Sequence, residues 1–304
     1  LTVREINSGF CIFEAELLRK LLARLDPGNA QGEFYLTDVF QMARDDGAGV
    51  MVSVGDWSET QGVNDRVQLA EAAGVLRRRI AGRWMREGVT IIDPSSTFID
   101  ATVTLERDST VLPFTFLEGS TSIAEGATVG PQARIVDSDI GSGANVSYSV
   151  VRGSSVGPGA SVGPFASLRP GTTLKEGAKL GTFVESKNTT IGKDSKAGHL
   201  AYLGDAEIGE RVNIGAGTIT CNWDGKEKHK TVIKDDAYIS SDTMLVAPVT
   251  IGEGAATGAG SVVRNDVPDG ALAVGVPAKV LEGKGRRIEG KEGPRSGEER
   301  GSGS

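Results

Sequence analysis

His199 is one of only two histidines in the 304-residue chain, and it stands in a run of small residues, KAGHLAYLGDAEIG, at positions 196–209. An imidazole takes up a proton near neutral pH, so this side chain is a candidate general base. Arg169, Lys187, Tyr202, Asn213 and Lys228 likewise interrupt text rich in glycine, alanine and short aliphatics. Arginine, lysine and tyrosine hold phosphate oxygens through charge-assisted hydrogen bonds, and asparagine orients a sugar hydroxyl. By type alone the charged residues and the histidine also suit a solvated surface, and Tyr202 suits edge packing.

The elements that must position these side chains follow from a six-residue repeat. Aliphatic anchors recur at Leu105, Val111, Leu117, Ile123, Val129 and Ile135, at Val156, Val162, Leu168, Leu174 and Leu180, at Ile208 and Ile214, and from Ile233 through Ile239, Leu245 and Ile251 to Val263. A period of six suits neither a helix nor a simple alternating strand, but it suits a short strand followed by a tight corner. Three such units close one triangular coil, and stacked coils pair along the axis as a solenoid. Arg169 and Lys187 are 18 residues apart, one full coil, so they are predicted to stack on one face, an arrangement that favours a bound anion. Between Thr220 and Ile233 the step is thirteen residues instead of six, so a loop of roughly seven residues must leave the rod there. A lesser irregularity surrounds SKNTTIGKDSKAGHLAY.

Ahead of the rod, Leu69, Ala73, Leu76, Ile80 and Trp84 recur at helical spacing, which predicts a connecting helix over residues 66–86. Residues 1–65 combine a helical EAELLRKLLARL with a strand-like GVMVSV and read as part of an α/β domain. The rod is predicted over 87–281, and the polar text of 282–304 reads as a disordered tail. The chain opens on Leu1 rather than Met, which raises the expectation of a longer parent. A net charge of −7 argues against nucleic-acid and membrane partners, and no apolar run approaches a membrane span. Cys11 and Cys221 lie too far apart in sequence to suggest a disulfide framework, which points to a reduced, cytoplasmic setting. Two cysteines and two histidines are a poor metal-ligand inventory.

The hexapeptide pattern resembles the left-handed parallel β-helix of acyltransferases. The segments GPFASLRPGT, FVESKN, SKAGHLAYLGDAEIGERVNIGAGTITCNWDGK and SDTMLVAPVTIGEGA resemble the acetyltransferase half of the bifunctional N-acetylglucosamine-1-phosphate uridyltransferase/glucosamine-1-phosphate acetyltransferase family. EINSG, NAQGEFYLTDV and GVNDRVQLAEAA resemble the end of that family's uridyltransferase half, so the resemblance runs from residue 5 to about 280.

What the resemblance implies is a mainly β chain: a left-handed parallel β-helix of hexapeptide repeats, preceded by a linker helix and a partial α/β nucleotidyltransferase domain. It implies His199 as the base that deprotonates the amine of glucosamine 1-phosphate, and sugar-phosphate contacts at Arg169, Lys187, Tyr202 and Asn213, with Lys228 of the protruding loop also holding phosphate. Acetyl-CoA contacts fall on Ala216, Asn222, Trp223, Ser241 and Ala259. The family is homotrimeric, with sites between neighbouring subunits. Its uridyltransferase half, using UTP and Mg2+ to make UDP-N-acetylglucosamine for the cell envelope, would be represented here by Asn7, a sugar-nucleotide contact, and Asn64, a magnesium ligand.

Some positions depart from the family. Trp223 stands where NYDG is common, the family's C-terminal arginine contact to CoA has no counterpart, and Lys279 in GVPAK is the nearest substitute. The glycine-rich nucleotide loop and one metal-binding aspartate are not in the sequence, so uridylyl transfer is not expected of this chain. Two other readings compete. A hexapeptide carbonic anhydrase would need three histidine ligands, and a passive trimeric scaffold or regulatory module would not need His199 beside stacked cations.

Overall fold

The computed structural model describes residues 6–28 and 31–284. The chain divides into two compact units, Leu1–Val75 and Leu76–Ser304. The tail expected from 282 onward therefore lies almost wholly outside the described residues.

The described part of the first unit is helical. Helix α1 (Ala15–Leu22) is capped by Glu14, whose carboxylate accepts from the Glu16 and Leu17 amides. Helix α2 (Asp38–Asp45) contributes Val39 and Ala43 to a small core with Leu21, and Phe13 stacks on Phe40 at 5.2 Å. A short helix α3 (Trp57–Thr60) follows. The strand-like residues 49–54 form no strand, and Met51 and Val52 are exposed. A strand needs a neighbour to complete its ladder, and the described residues of this unit supply none.

Helix α4 (Arg66–Arg86) has the predicted bounds. Only the C-terminal end of its apolar stripe is buried: Ala81 and Trp84 join the core of the rod, with Ile80 packed against it, whereas Leu69 and Leu76 are about half exposed. The Arg77 guanidinium lies 4.7 Å over the Phe98 ring and that of Arg83 4.2 Å over Trp84.

The rod is a left-handed parallel β-helix of three sheets. The first, of 12 strands, begins at Thr90–Ile91; the second, of 10, at Phe98–Ile99; the third, of 9, at Thr104–Leu105. Strands are mostly two or three residues long, and each pairs in parallel with its counterpart one coil away. The rod ends in an antiparallel hairpin of Leu272–Gly275 and Ala278–Leu281, in which Lys279 pairs with Val274.

The anchors fill the interior, but the six-residue period is not strict. Ile140, Val146 and Val151 are as buried as the anchors around them, and several steps there are five residues long. A corner one residue shorter hides a coil from a fixed-period reading. Between Leu180 and Ile208 the interior positions include Ser186 and Ala197, so polarity and size conceal the repeat there as well. Ser186 is satisfied inside the rod by Thr172, the two hydroxyls lying 3.2 Å apart.

Along one corner Tyr148, Phe165, Phe183 and Leu200 adopt left-handed backbone, with φ between 47° and 59°. Tyr148 and Phe165 have ring centroids 5.8 Å apart and Phe165 and Phe183 5.7 Å apart. All four side chains are exposed, an apolar ladder that ends beside His199.

Candidate functional site

Three of the candidates, Arg169, Lys187 and Tyr202, lie on the outer face of the second sheet. Leu168 is in register with Ser186, so Arg169 and Lys187 stack as their spacing predicts. Glu185, on the same strand as Lys187, makes a 2.9 Å ion pair with Arg169, which raises the guanidinium pKa above its usual value. The repelling pair is instead Lys187 and Lys228: Lys228 first, and Arg169 after it, hold the Lys187 ammonium below its ordinary pKa, against a smaller opposing pull from Asp205. Three cations thus share one patch, and Lys228 reaches it from the protruding loop.

That loop leaves the second sheet after Ile219–Cys221 and returns at Thr231–Ile233, where the broken period places it. It is a small hairpin closed on itself. Trp223 and Lys228 form an antiparallel bridge, the His229 amide donates to the Asn222 carbonyl, and the His229 ring lies 2.7 Å from the Asp224 carboxylate. Asp224 also accepts from the Lys226 and Glu227 amides, and these bonds hold its carboxyl far below the usual range. Asp224, Glu227 and His229 form the one grouping of potential metal ligands among the described residues, but Asp224 is already committed to these turn contacts.

Tyr202 is in register with Glu185, and its ring crosses Gly204, itself in register with Lys187. A Cβ on Gly204 would lie 2.5 Å from the Tyr202 hydroxyl oxygen and 2.8 Å from Asn222 Nδ2, so both side chains rest on bare backbone. Beside them Asp205 is largely buried, its side chain 13% exposed. It accepts from Asn222 Nδ2 at 2.5 Å and Asn188 Nδ2 at 2.7 Å, with Lys228 Nζ 3.9 Å away. Burial alone would raise the Asp205 pKa; the two amide donors, with Lys228 and Lys187, together outweigh it and leave the carboxyl below its usual range.

His199 ends the strand Lys196–His199 of the first sheet, and Tyr202 begins the next strand of the second. Only the corner residues Leu200 and Ala201 separate them, whereas Arg169 and Lys187 are level with Gly204 at the other end of that strand, so within one chain the imidazole and the cations stand at opposite ends of it. The ring is exposed and makes no hydrogen bond among the described residues. Register then reveals a column. Ala197, Ile214, Ile239 and Thr257 are successive partners in the first sheet, and two residues beyond each stand His199, Ala216, Ser241 and Ala259. Corner bonds continue that alignment, from the Gly217 amide to Leu200 O, Asp242 to Ala216 O and Gly260 to Ser241 O. At about 4.8 Å per coil, three small residues rise above the histidine over roughly 14 Å.

Other predicted residues fall elsewhere. Asn213 faces outward from the first sheet, in register with Lys196 and Tyr238, and within one chain it is not brought to the second-sheet cations. Trp223 is 57% exposed on the loop. Asn7 and Asn64 are exposed residues of the first unit. Asn64 offers a neutral carboxamide, and its neighbour Asp65 is occupied with the Gln68 amide. No cluster of carboxylates joins Asn64 among the described residues, so these residues alone do not fit a magnesium ion. Glu185, Gly204 and Asp205 escape sequence reasoning. The signal for each is its distance of one coil from a candidate: Glu185 from Tyr202, Gly204 from Lys187, Asp205 from Asn222.

No family model matches the chain. It is 50% identical over 279 residues to the bifunctional protein GlmU of Pseudarthrobacter chlorophenolicus, covering 91% of this chain and 56% of that protein. With the GlmU protein of Thermobifida fusca the identity is 54% over 283 residues, 92% of this chain and 58% of the relative. With that of Desulfitobacterium hafniense it is 50% over 273 residues, 90% and 60%. The chain thus spans little more than half the length of the curated relatives it matches. Among solved structures, the UDP-N-acetylglucosamine acyltransferase of Francisella novicida is 17% identical with a TM-score of 0.41, covering 63% of this chain and 68% of that one. A hexapeptide-repeat acetyltransferase of Vibrio cholerae, complexed with acetyl-CoA, is 23% identical with a TM-score of 0.32, over 42% and 69%. At those scores the structural likenesses carry no argument. The sequence relation does: over about nine-tenths of its length this chain is a homologue of the bifunctional GlmU proteins.

Proposed function

We propose that this chain transfers the acetyl group of acetyl-CoA to the amine of glucosamine 1-phosphate, giving N-acetylglucosamine 1-phosphate for UDP-N-acetylglucosamine synthesis. The observation that carries the reading is the presence, in the same stretch of coils, of a patch of Arg169, Lys187 and Lys228 at one end of the second-sheet strands and a column of His199, Ala216, Ser241 and Ala259 at the end of the first-sheet strands. A phosphate suits the cations. An extended thioester arm suits a column of small residues whose backbone it can approach, and Asn222 and Trp223 of the loop are its further contacts in this reading.

In this reading His199 takes a proton from the substrate ammonium, and the freed amine attacks the thioester carbonyl. A C–N bond forms and the C–S bond breaks. The imidazolium gives that proton to the leaving thiolate, and the second proton leaves the acylated nitrogen for solvent by way of the restored imidazole, so the chemistry needs neither a metal nor a covalent enzyme intermediate. Arg169, Lys187, Lys228 and Tyr202 hold the sugar phosphate and so fix the amine near the ring.

The site becomes complete in a homotrimer, where a neighbouring protomer covers the ladder of Tyr148, Phe165, Phe183 and Leu200 and supplies Asn213. Support comes from the exposure of that ladder and from the separation of Asn213 from the cations within one chain. Residues 1–65 represent the end of a nucleotidyltransferase domain, with Asn7 and Asn64 the remaining contacts to sugar nucleotide and Mg2+, and uridylyl transfer from UTP belongs to a longer parent. A cytoplasmic setting follows from the same reading.

The test is thiol release from acetyl-CoA in the presence of glucosamine 1-phosphate. Turnover should fall about 10²- to 10⁴-fold in His199→Ala, the usual worth of a general base. Undiminished turnover in that variant would exclude the imidazole as base. A folded wild-type trimer with no thiol release would leave the rod a scaffold.

A further inference from the structure

The loop that carries Asn222, Trp223 and Lys228 is stiff in itself and meets the rod at its feet and through two cation–carboxylate contacts, Lys230 with Glu207 and Lys228 with Asp205. Between it and the rod runs a cleft of about 360 Å³, lined by Asn188, Asp205 and Glu207 on one side and by Lys228, His229 and Lys230 on the other. Its position is therefore set at its two feet and by the ion pair of Lys230 with Glu207 beside the returning one. At the departing foot Asn222 Nδ2 donates to the Asp205 carboxylate at 2.5 Å, and at the returning foot the Thr231 amide donates to the Asp205 carbonyl at 3.1 Å. One residue holds both ends.

We propose that Asp205 is a positioning residue that clamps the 222–230 loop and so sets where its acetyl-CoA contacts stand. The inference rests on the acetyltransferase reading. Asp205 is a corner residue at φ 49°, and corner aspartates need no function, since aspartate tolerates this backbone. Its surroundings set it apart. Asp108, Asp137, Asp194 and Asp242 occupy left-handed corners with their side chains exposed, and Asp236, as little exposed as Asp205, is turned onto the Arg211 guanidinium; Asp205 alone among these six is turned onto two amide donors, one of them on the loop. The loop, moreover, moves as a body, because its bridge and the Asp224–His229 pair lock its interior. A shift at Asn222 is therefore transmitted to Trp223.

The test is Asp205→Asn, with the dissociation constants of acetyl-CoA and glucosamine 1-phosphate measured separately by calorimetry. Asparagine keeps the left-handed backbone and the carbonyl that holds Thr231. Its single side-chain acceptor must then serve both Asn188 and Asn222, and the charge is gone. Acetyl-CoA should bind about tenfold more weakly, the scale of a lost charged hydrogen bond. Glucosamine 1-phosphate should bind no more weakly than in wild type, because an anion beside Lys187 and Lys228 has been removed. A purely structural role would lower the fraction of active protein without separating the two ligands. Adding Asp205→Asn to Asn222→Ala should weaken acetyl-CoA binding no further. Should Asp205→Asn fail to fold, Asn188→Gly, which suits the φ of 47° there, removes one support of the carboxylate and should weaken acetyl-CoA binding in the same direction. Equal acetyl-CoA affinity in wild type and the folded variant, or additive losses in the double variant, would overturn the proposal. If wild type itself binds no acetyl-CoA, it is the acetyltransferase reading that fails.

Discussion

Replacing Gly204 by alanine inserts a methyl group where the Tyr202 hydroxyl oxygen would be 2.5 Å away, its ring carbon Cζ 2.7 Å and Asn222 Nδ2 2.8 Å. To regain ordinary contact near 3.4 Å the phenol must retreat by roughly 0.9 Å and the amide by roughly 0.6 Å. The amide cannot yield freely, because Asp205 holds it at 2.5 Å, so the ring moves. Overpacking in a closed core costs about 1–3 kcal/mol. Tyr202 lies on the outer face and can swing outward, which places the cost at the lower end, and a loss of about 1 kcal/mol lowers Tm by roughly 2–4 °C in a unit of this size. Function is more sensitive. A group misplaced by about 1 Å can cost on the order of a hundredfold in kcat/KM. Gly204→Ala should therefore stay folded by thermal denaturation while losing most of its thiol-release activity, chiefly through a higher KM for glucosamine 1-phosphate. Where Tyr202→Ala has already removed the phenol, the added methyl should matter little. Full activity with an unchanged Tm would mean that the ring does not rest on Gly204 in the working enzyme. A fully additive loss in the double variant would refute the route through Tyr202.

Lys187→Met should raise Tm at pH 7. The ammonium is held below its ordinary value of 10.5 by Lys228 and Arg169, so its repulsion is felt in full while it is charged and fades as the pH climbs toward 10.5. The gain should shrink over that range, and the variant should lose the rise in Tm that glucosamine 1-phosphate gives the wild type. No gain at pH 7 would place the three cations further apart than described. Asp224→Asn should loosen the loop, seen as faster tryptic cleavage at Lys226 and Lys228. Because the Asp224 carboxyl is held below its usual 3.8, its turn contacts are present at neutral pH and are lost only as the pH falls through the lowered pKa. Cleavage of wild type and Asp224→Asn at equal rates, at neutral pH as at pH 5, would show that the turn does not depend on this carboxylate.

The architecture was legible because a β-helix writes its period directly into the chain. Each coil must place an aliphatic residue inside and a small or turn-forming residue at a corner, so spacing alone located the rod, the stacked pair of Arg169 and Lys187, and the loop after Thr220. The bounds of α4 followed from an equally local rule. Where corners lose one residue, as between Ile135 and Val156, a fixed period missed three buried anchors. GVMVSV alternates like a strand yet forms none, because a strand is completed by its neighbours rather than by its own pattern.

The sequence by itself determined which residue types were out of place on a scaffold and, through a fixed coil length, which of them stack. Only the tertiary structure decided what lies beside them. Asp205 and Asn222 are 17 residues apart and touch; Lys187 and Lys228 belong to a strand and a loop and repel each other; Gly204 matters through the two side chains that lie across it. The physical reason is the direction of the interactions. Along the axis the hydrogen-bonded ladder repeats every coil and can be counted from the chain, whereas contacts across the outer face depend on how long side chains turn and where a loop comes down.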